Sequence, residues 1–103
     1  MTEFAPARVA ASVTRALWGE VSPKLRSVQF STAGRVITLR FYYDGEPDDE
    51  ERDSIGCVGA EAAADFHDAT VMEEAVATSV DGEIACQEGW HTAYARKEPS
   101  LTR

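Results

Sequence analysis

Between Arg26 and Tyr43 the chain reads RSVQFSTAGRVITLRFYY, and two runs of alternation stand out in it. In Arg26 to Thr32, Val28 and Phe30 alternate with Ser27, Gln29 and Ser31. In Arg35 to Tyr43, Ile37, Leu39, Phe41 and Tyr43 alternate with Val36, Thr38, Arg40 and Tyr42. A period of two with one apolar set is the signature of a strand buried on one face. The two runs meet at Ala33 and Gly34, which predicts a hairpin. A two-residue loop at those positions pairs Phe30 with Ile37 and Val28 with Leu39, so that the apolar faces coincide. A three-residue loop would turn one apolar set outward, the slip that a buried face forbids. The opposite face then carries Ser27, Gln29, Ser31, Thr38, Arg40 and Tyr42.

On the N-terminal side, residues 6–18 read as a helix. Pro6 suits its first turn, Val9, Val13, Ala16 and Leu17 recur on one face, and Gly19 and Pro23 end it. On the C-terminal side a second helix begins near Asp48. Asp48 and Glu51 have capping-box spacing, and Asp49 and Glu50 suit the positive helix end. Its stripe is Ile55, Val58, Gly59, Ala62 and Phe66, with small neighbours that permit close approach to a sheet, and it stops near Asp65 to Asp68. Residues 70–80 and 90–96 read as two further strands, joined through Asp81 and Gly82 or by a longer loop reaching Gly89. The expectation is one α+β domain over residues 1–103 in the order α-β-β-α-β-β. It is a two-layer sandwich with two helices on one face of a four-stranded, mainly antiparallel sheet and the other face open.

At 103 residues, 44% of them hydrophobic, the chain is apolar enough to fold as one domain. The segment Met1 to Leu17 has no secretory-signal pattern, and no apolar run reaches membrane-spanning length, so a cytoplasmic protein is expected. The formal net charge of −8 argues against nucleic acid or an anionic membrane as partner. The charge is also lopsided. Residues 44–95 hold fifteen acids against Arg52 alone, a net −14, while the remainder carries +6. Asp44 to Asp53 is densest, with seven carboxylates in ten positions. Such a field speeds encounter with a cationic protein, and a nuclease or other nucleic-acid-binding protein offers a basic cleft for it.

Other chemistry is poorly supported. Cys57 and Cys86 are too few for a disulfide framework and read as buried reduced thiols. His67 and His91 lie in no recognisable catalytic motif. The acids at Asp44, Glu46, Asp48 and Glu50 approach a calcium loop in density, but Pro47 interrupts them and the central glycine and terminal glutamate are missing. No cofactor, metal or enzymatic activity is expected. Among the aromatics, Trp18, Tyr43, Trp90 and Tyr94 are expected to be at least half core, whereas Tyr42 sits on the polar face beside the acids.

Several segments resemble a known group: Ala16-Leu17-Trp18-Gly19-Glu20-Val21, Leu25-Arg26-Ser27-Val28, Ile37 to Glu46 (ITLRFYYDGE) and Ala63-Ala64-Asp65-Phe66. Spread from about Ala16 to Lys97, they are similar to small bacterial immunity proteins of contact-dependent inhibition or colicin-like toxin systems. The resemblance implies a cognate toxin as partner. With the charge pattern, it leads to an expected immunity protein that occludes a basic toxin domain, a nuclease, by electrostatically steered binding. The expected contacts are Asp44, Glu46, Asp48, Asp49, Glu50 and Asp53, with Tyr42 as an aromatic anchor and Glu73 and Glu74 as outer candidates. Such a protein would be a monomer or a weak homodimer. The alternative is a self-associating structural or adaptor domain that uses an exposed sheet edge or the open sheet face.

Overall fold

The computed structural model describes residues 4–79 and 82–98. The element order is as expected: α1 (Pro6–Ala16), β1 (Leu25–Ala33), β2 (Val36–Asp44), α2 (Asp49–Asp65), β3 (Thr70–Thr78) and β4 (Trp90–Ala95). The expected end of the third strand at Val80, the turn residue Asp81 and a loose tail over Pro99 to Arg103 lie outside the described residues. In α1 Pro6 occupies the first turn, and Val9 and Val13 are fully buried. On β2 the alternation holds, with Ile37, Leu39, Phe41 and Tyr43 buried and the residues between them partly exposed. These side chains join Val28 and Phe30 of β1, Leu17 just beyond α1, and Ile55, Val58 and Ala62 of α2 in one core cluster. Fully burying one such aliphatic or phenyl side chain contributes about 1.5–3 kcal/mol.

The hairpin forms with a two-residue loop, but at Gly34 and Arg35 rather than Ala33 and Gly34. Ala33 pairs with Val36, Phe30 with Leu39 and Val28 with Phe41. The register is shifted by two residues from expectation, which keeps the apolar faces together because side chains alternate every residue. Backbone geometry explains the choice. Gly34 has φ +61°, the value a type II′ hairpin needs at its first loop position, and the expected loop would have put Ala33 there.

The sheet is mixed, not mainly antiparallel, with strand order β3-β2-β1-β4. β1 pairs antiparallel with β2 and β4, but β3 runs parallel to β2. The cause is the helix between them. A strand that returns through α2 enters the sheet in the direction of its predecessor. On α2, the Glu73 side chain of β3 lies against Gly59, where a Cβ would displace its carboxylate.

β3 and β4 are therefore at opposite edges, not hairpin partners, and the described part of the connection between them meets β1 at Arg26 and Gln29, on the face opposite Val28 and Phe30. Gln29 Nε2 donates to the Ala85 carbonyl at 3.3 Å, and Arg26 Nη2 to the Gly82 carbonyl at 2.7 Å. Along β1 that face is consequently not open, and Ser27 and Gln29 are buried.

Candidate functional site

The acidic run from Asp44 to Asp53 divides into carboxylates that build the fold and carboxylates left to solvent. Asp44, the last residue of β2, has Oδ2 at 3.0 Å from Arg96 Nη1 and Oδ1 at 3.6 Å from Arg26 Nε. Glu98 faces the same two cations, at 3.3 Å from Arg26 and 3.1 Å from Arg96. Glu46 meets Arg52 at 3.1 Å. Asp48 caps α2: its Oδ1 accepts the Glu51 amide at 2.7 Å, and Glu51 Oε1 accepts the Asp48 amide at 2.9 Å. The expected capping box is thus present.

Glu51 is buried, and burial alone would push its carboxyl up. The hydrogen bond from Ser22 Oγ at 2.6 Å, the Asp48 amide and the Lys24 ammonium together hold it below its ordinary 4.5 instead. Tyr43 is pushed up to about 12, first by burial and then by the nearby Glu51, Asp48 and Glu20 carboxylates.

A depressed folded-state pKa stabilises the protein above the ordinary value, and that stabilisation is lost as pH falls through the folded value. Glu51→Gln is therefore expected to cost about 1–2 kcal/mol at pH 7. The gap to wild type should shrink as pH falls below the ordinary 4.5 and the native carboxylate protonates. Urea unfolding at neutral and acid pH measures both; a gap independent of pH would remove the carboxylate charge from the explanation.

Asp49, Glu50 and Asp53 remain, exposed on the first two turns of α2 with no side-chain partner among the described residues. The other expected contacts lie elsewhere. Glu73, opposite the buried Leu39, points to the helix side at the sheet edge, whereas Glu74, opposite Arg40, points to the other face. There Arg40 Nε donates to Glu74 Oε1 at 2.8 Å, and the guanidinium covers the Trp90 ring at 4.0 Å. Its pKa is raised by the hydrogen bonds with Glu74 and Tyr42. Tyr42 is half-buried, and its hydroxyl donates to Gln29 Oε1 at 3.4 Å. The nine expected contacts therefore do not share one surface: Tyr42 and Glu74 are separated by the sheet from the α2 acids.

A surface with no counterpart among those contacts lies beside the α2 acids. Trp18, expected to be half core, is 81% exposed, and Val21 is 42% exposed. α1 ends at Ala16, two residues sooner than its periodicity predicts, and Trp18 lies off the buried stripe of Val9, Val13 and Ala16, from which helical spacing alone sets it about 140–180° away. With Leu17, Ala93 and Tyr94, these side chains line an apolar groove of about 390 Å³. Gly19 and Val21 also border a neighbouring groove of about 340 Å³, whose walls include Glu20, Asp48 and Glu50.

A family model, the MafI2 immunity protein, matches residues 6–98. The chain belongs to the MafI2 immunity protein family. Immunity proteins of toxin systems are the group that its sequence resembles, and that expectation is borne out. Membership implies a toxin-neutralising role and a cognate toxin as partner, and points to an inhibitor rather than an enzyme. No curated protein matches the sequence.

In this MafI2 family member both cysteines are exposed and free, contrary to the expected burial. Cys57 lies between the buried Ile55 and Val58 on α2 but off their stripe. Cys86 lies in the β3–β4 connection, with its thiol donating to the Trp90 carbonyl at 3.2 Å. His67 is exposed beside Asp68, and His91 stacks on Phe30 with ring centroids 5.2 Å apart. Among the described residues no helix is long and apolar enough to cross a membrane.

Proposed function

We propose that this immunity protein neutralises a basic toxin domain, a nuclease of a contact-dependent or colicin-like system, by covering its cationic substrate path in the cytoplasm. One observation carries this reading. After the fold has used Asp44, Asp48 and Glu51 for its own ion pairs and cap, Asp49, Glu50 and Asp53 remain together on one helix end, solvated and without a side-chain partner among the described residues. Glu46, in the preceding loop, is paired with Arg52. Asp44 and Asp48 act as positioning residues for that helix end. Tyr42, Glu73 and Glu74 remain outer candidates that a large toxin would have to reach around the sheet to touch.

A two-layer body, helices over one sheet face, is supported by the single core cluster that joins both helices to the inward strand residues. The self-association reading keeps its strand edges in β3 and β4 but not an uncovered face along β1, and the net charge of −8 opposes pairing of two copies. A monomer is the proposed state.

The test mixes the purified chain with the toxin domain encoded beside its gene. Inhibition of nucleic-acid cleavage at equimolar ratio is expected, with an association rate that falls at least tenfold between about 0.01 M and about 0.5 M salt. Failure to inhibit, or a rate indifferent to salt, would overturn the proposal.

A further inference from the structure

An exposed tryptophan in a small domain requires an explanation, because contiguous apolar surface on a monomer marks an interaction site more often than chance placement. Trp18 is 81% exposed, and its backbone is well held. The Trp18 amide donates to the Arg15 carbonyl at 3.2 Å and the Glu20 amide to the Leu17 carbonyl at 2.9 Å, while Leu17 is buried in the core. Gly19, at φ +80°, takes the left-handed conformation that closes this turn. The indole thus stands on a rigid support, and little ordering entropy is lost when a partner covers it.

The surroundings say which partner. The apolar groove continues through Gly19 and Val21 into the one walled by Glu20 and Glu50, whose carboxylates have no side-chain partner among the described residues. A second copy docking there would bring like charges together. A cationic protein would bury the indole and pair with those acids at once, the arrangement of an apolar hot spot inside a charged rim.

We infer that the Trp18 groove, with Glu20 and Glu50 at its rim, is the anchor of the toxin-docking surface and receives an apolar side chain of the toxin flanked by lysine or arginine. This rests on the reading of the chain as inhibitor of a basic toxin. It gives the acids at the end of α2 an apolar anchor at the α1–β1 turn, in place of Tyr42.

The test uses the full chain with 5-fluorotryptophan in place of its two tryptophans, assigned through Trp90→Phe, and the catalytically inactive toxin domain encoded beside its gene. On adding toxin, the Trp18 fluorine resonance should shift and lose its solvent-induced isotope effect. Trp18→Ala should raise Kd at least about 30-fold with unchanged thermal stability, because the ring contributes little to the core. Glu20→Lys should mainly slow association.

If the toxin binds and is inhibited while the Trp18 resonance stays solvent-exposed and Trp18→Ala binds within about threefold of wild type, the anchor is wrong and the inhibitor reading survives. If wild type neither binds nor inhibits, both fall. A Trp18 resonance that shifts with the chain's own concentration, without toxin, would assign the groove to a second copy and overturn the inference.

Discussion

Replacing Arg26 by alanine is expected to lower the stability of the domain by about 3 kcal/mol, and its Tm by about 10–20 °C. Arg26 is 5% exposed and acts as a hub. Nη1 donates to Thr78 Oγ1 and to the Ser79 carbonyl, each at 3.0 Å, and Nη2 to the Gly82 carbonyl at 2.7 Å. Nε faces Glu98 at 3.3 Å and Asp44 at 3.6 Å. One side chain on the inner strand β1 therefore ties the end of the edge strand β3, the chain that leaves it and the segment that follows β4. Truncation would leave Asp44, whose Oδ1 is buried and makes no hydrogen bond, facing Arg96 alone, and removing one partner of a buried pair leaves an uncompensated charge. Partial exposure of Asp44 and Glu98 moderates the loss, which places it at the low end for buried pairs. Arg26→Lys should recover less than half, because one ammonium, with its three donors at a single point, cannot span the four acceptors that the guanidinium reaches through three separated nitrogens. Guanidinium unfolding followed by circular dichroism measures both. A loss under about 1 kcal/mol would show that the cluster is ornamental to stability.

The roles of Arg26 and of the α2 cap show what a linear reading reaches. Asp48 and Glu51 lie three residues apart, so the capping box is a local fact and is legible. The hairpin's facing is legible for the same reason: parity is a property of each strand separately. Its register is not, because a shift of two preserves parity. The discriminating fact is which residue must take a positive φ, and Gly34 answers that only when placed first in the loop. The parallel entry of β3 was available from the order strand, helix, strand.

Arg26 was not legible, since its acceptors come from residues 44, 78, 79, 82 and 98, brought together only when β3 and β4 take opposite edges. The candidate site was half legible. Acid density locates the α2 end, but density does not say which carboxylates the fold will consume, and the expectation that Trp18 is at least half core rests only on the usual burial of large rings in a small domain, whereas helical spacing sets it opposite the stripe of Val9, Val13 and Ala16.

The second large effect concerns charge placement. The triple variant Asp49→Lys, Glu50→Lys, Asp53→Lys is expected to associate with the toxin about 100-fold more slowly at low salt than wild type. Each change adds two charges, so the formal net charge moves from −8 to −2. A control with Glu61→Lys, Glu83→Lys and Glu88→Lys reaches the same −2 at exposed positions outside the cluster. If net charge alone governed the encounter, the two variants would slow equally. If the field is focused at the end of α2, the control should lose only a few-fold at about 0.1 M salt, where screening confines an exposed charge to about 10 Å, and the contrast between the two variants is read there.

The substitutions at Asp49 and Glu50 also place cations at the positive end of a helix, at about 0.3–1 kcal/mol each, so thermal unfolding must confirm that the domain remains folded at the assay temperature. Asp44, Asp48 and Glu51 are excluded from the variant because their loss would damage the fold and confound the rate. Stopped-flow association across a salt series separates the alternatives: the wild-type and variant rates should converge as salt rises, since the local field acts on the encounter. A variant that lost affinity equally at low and high salt would mean that Asp49, Glu50 and Asp53 form specific contacts in the bound complex, and steering would then have to be abandoned as their function.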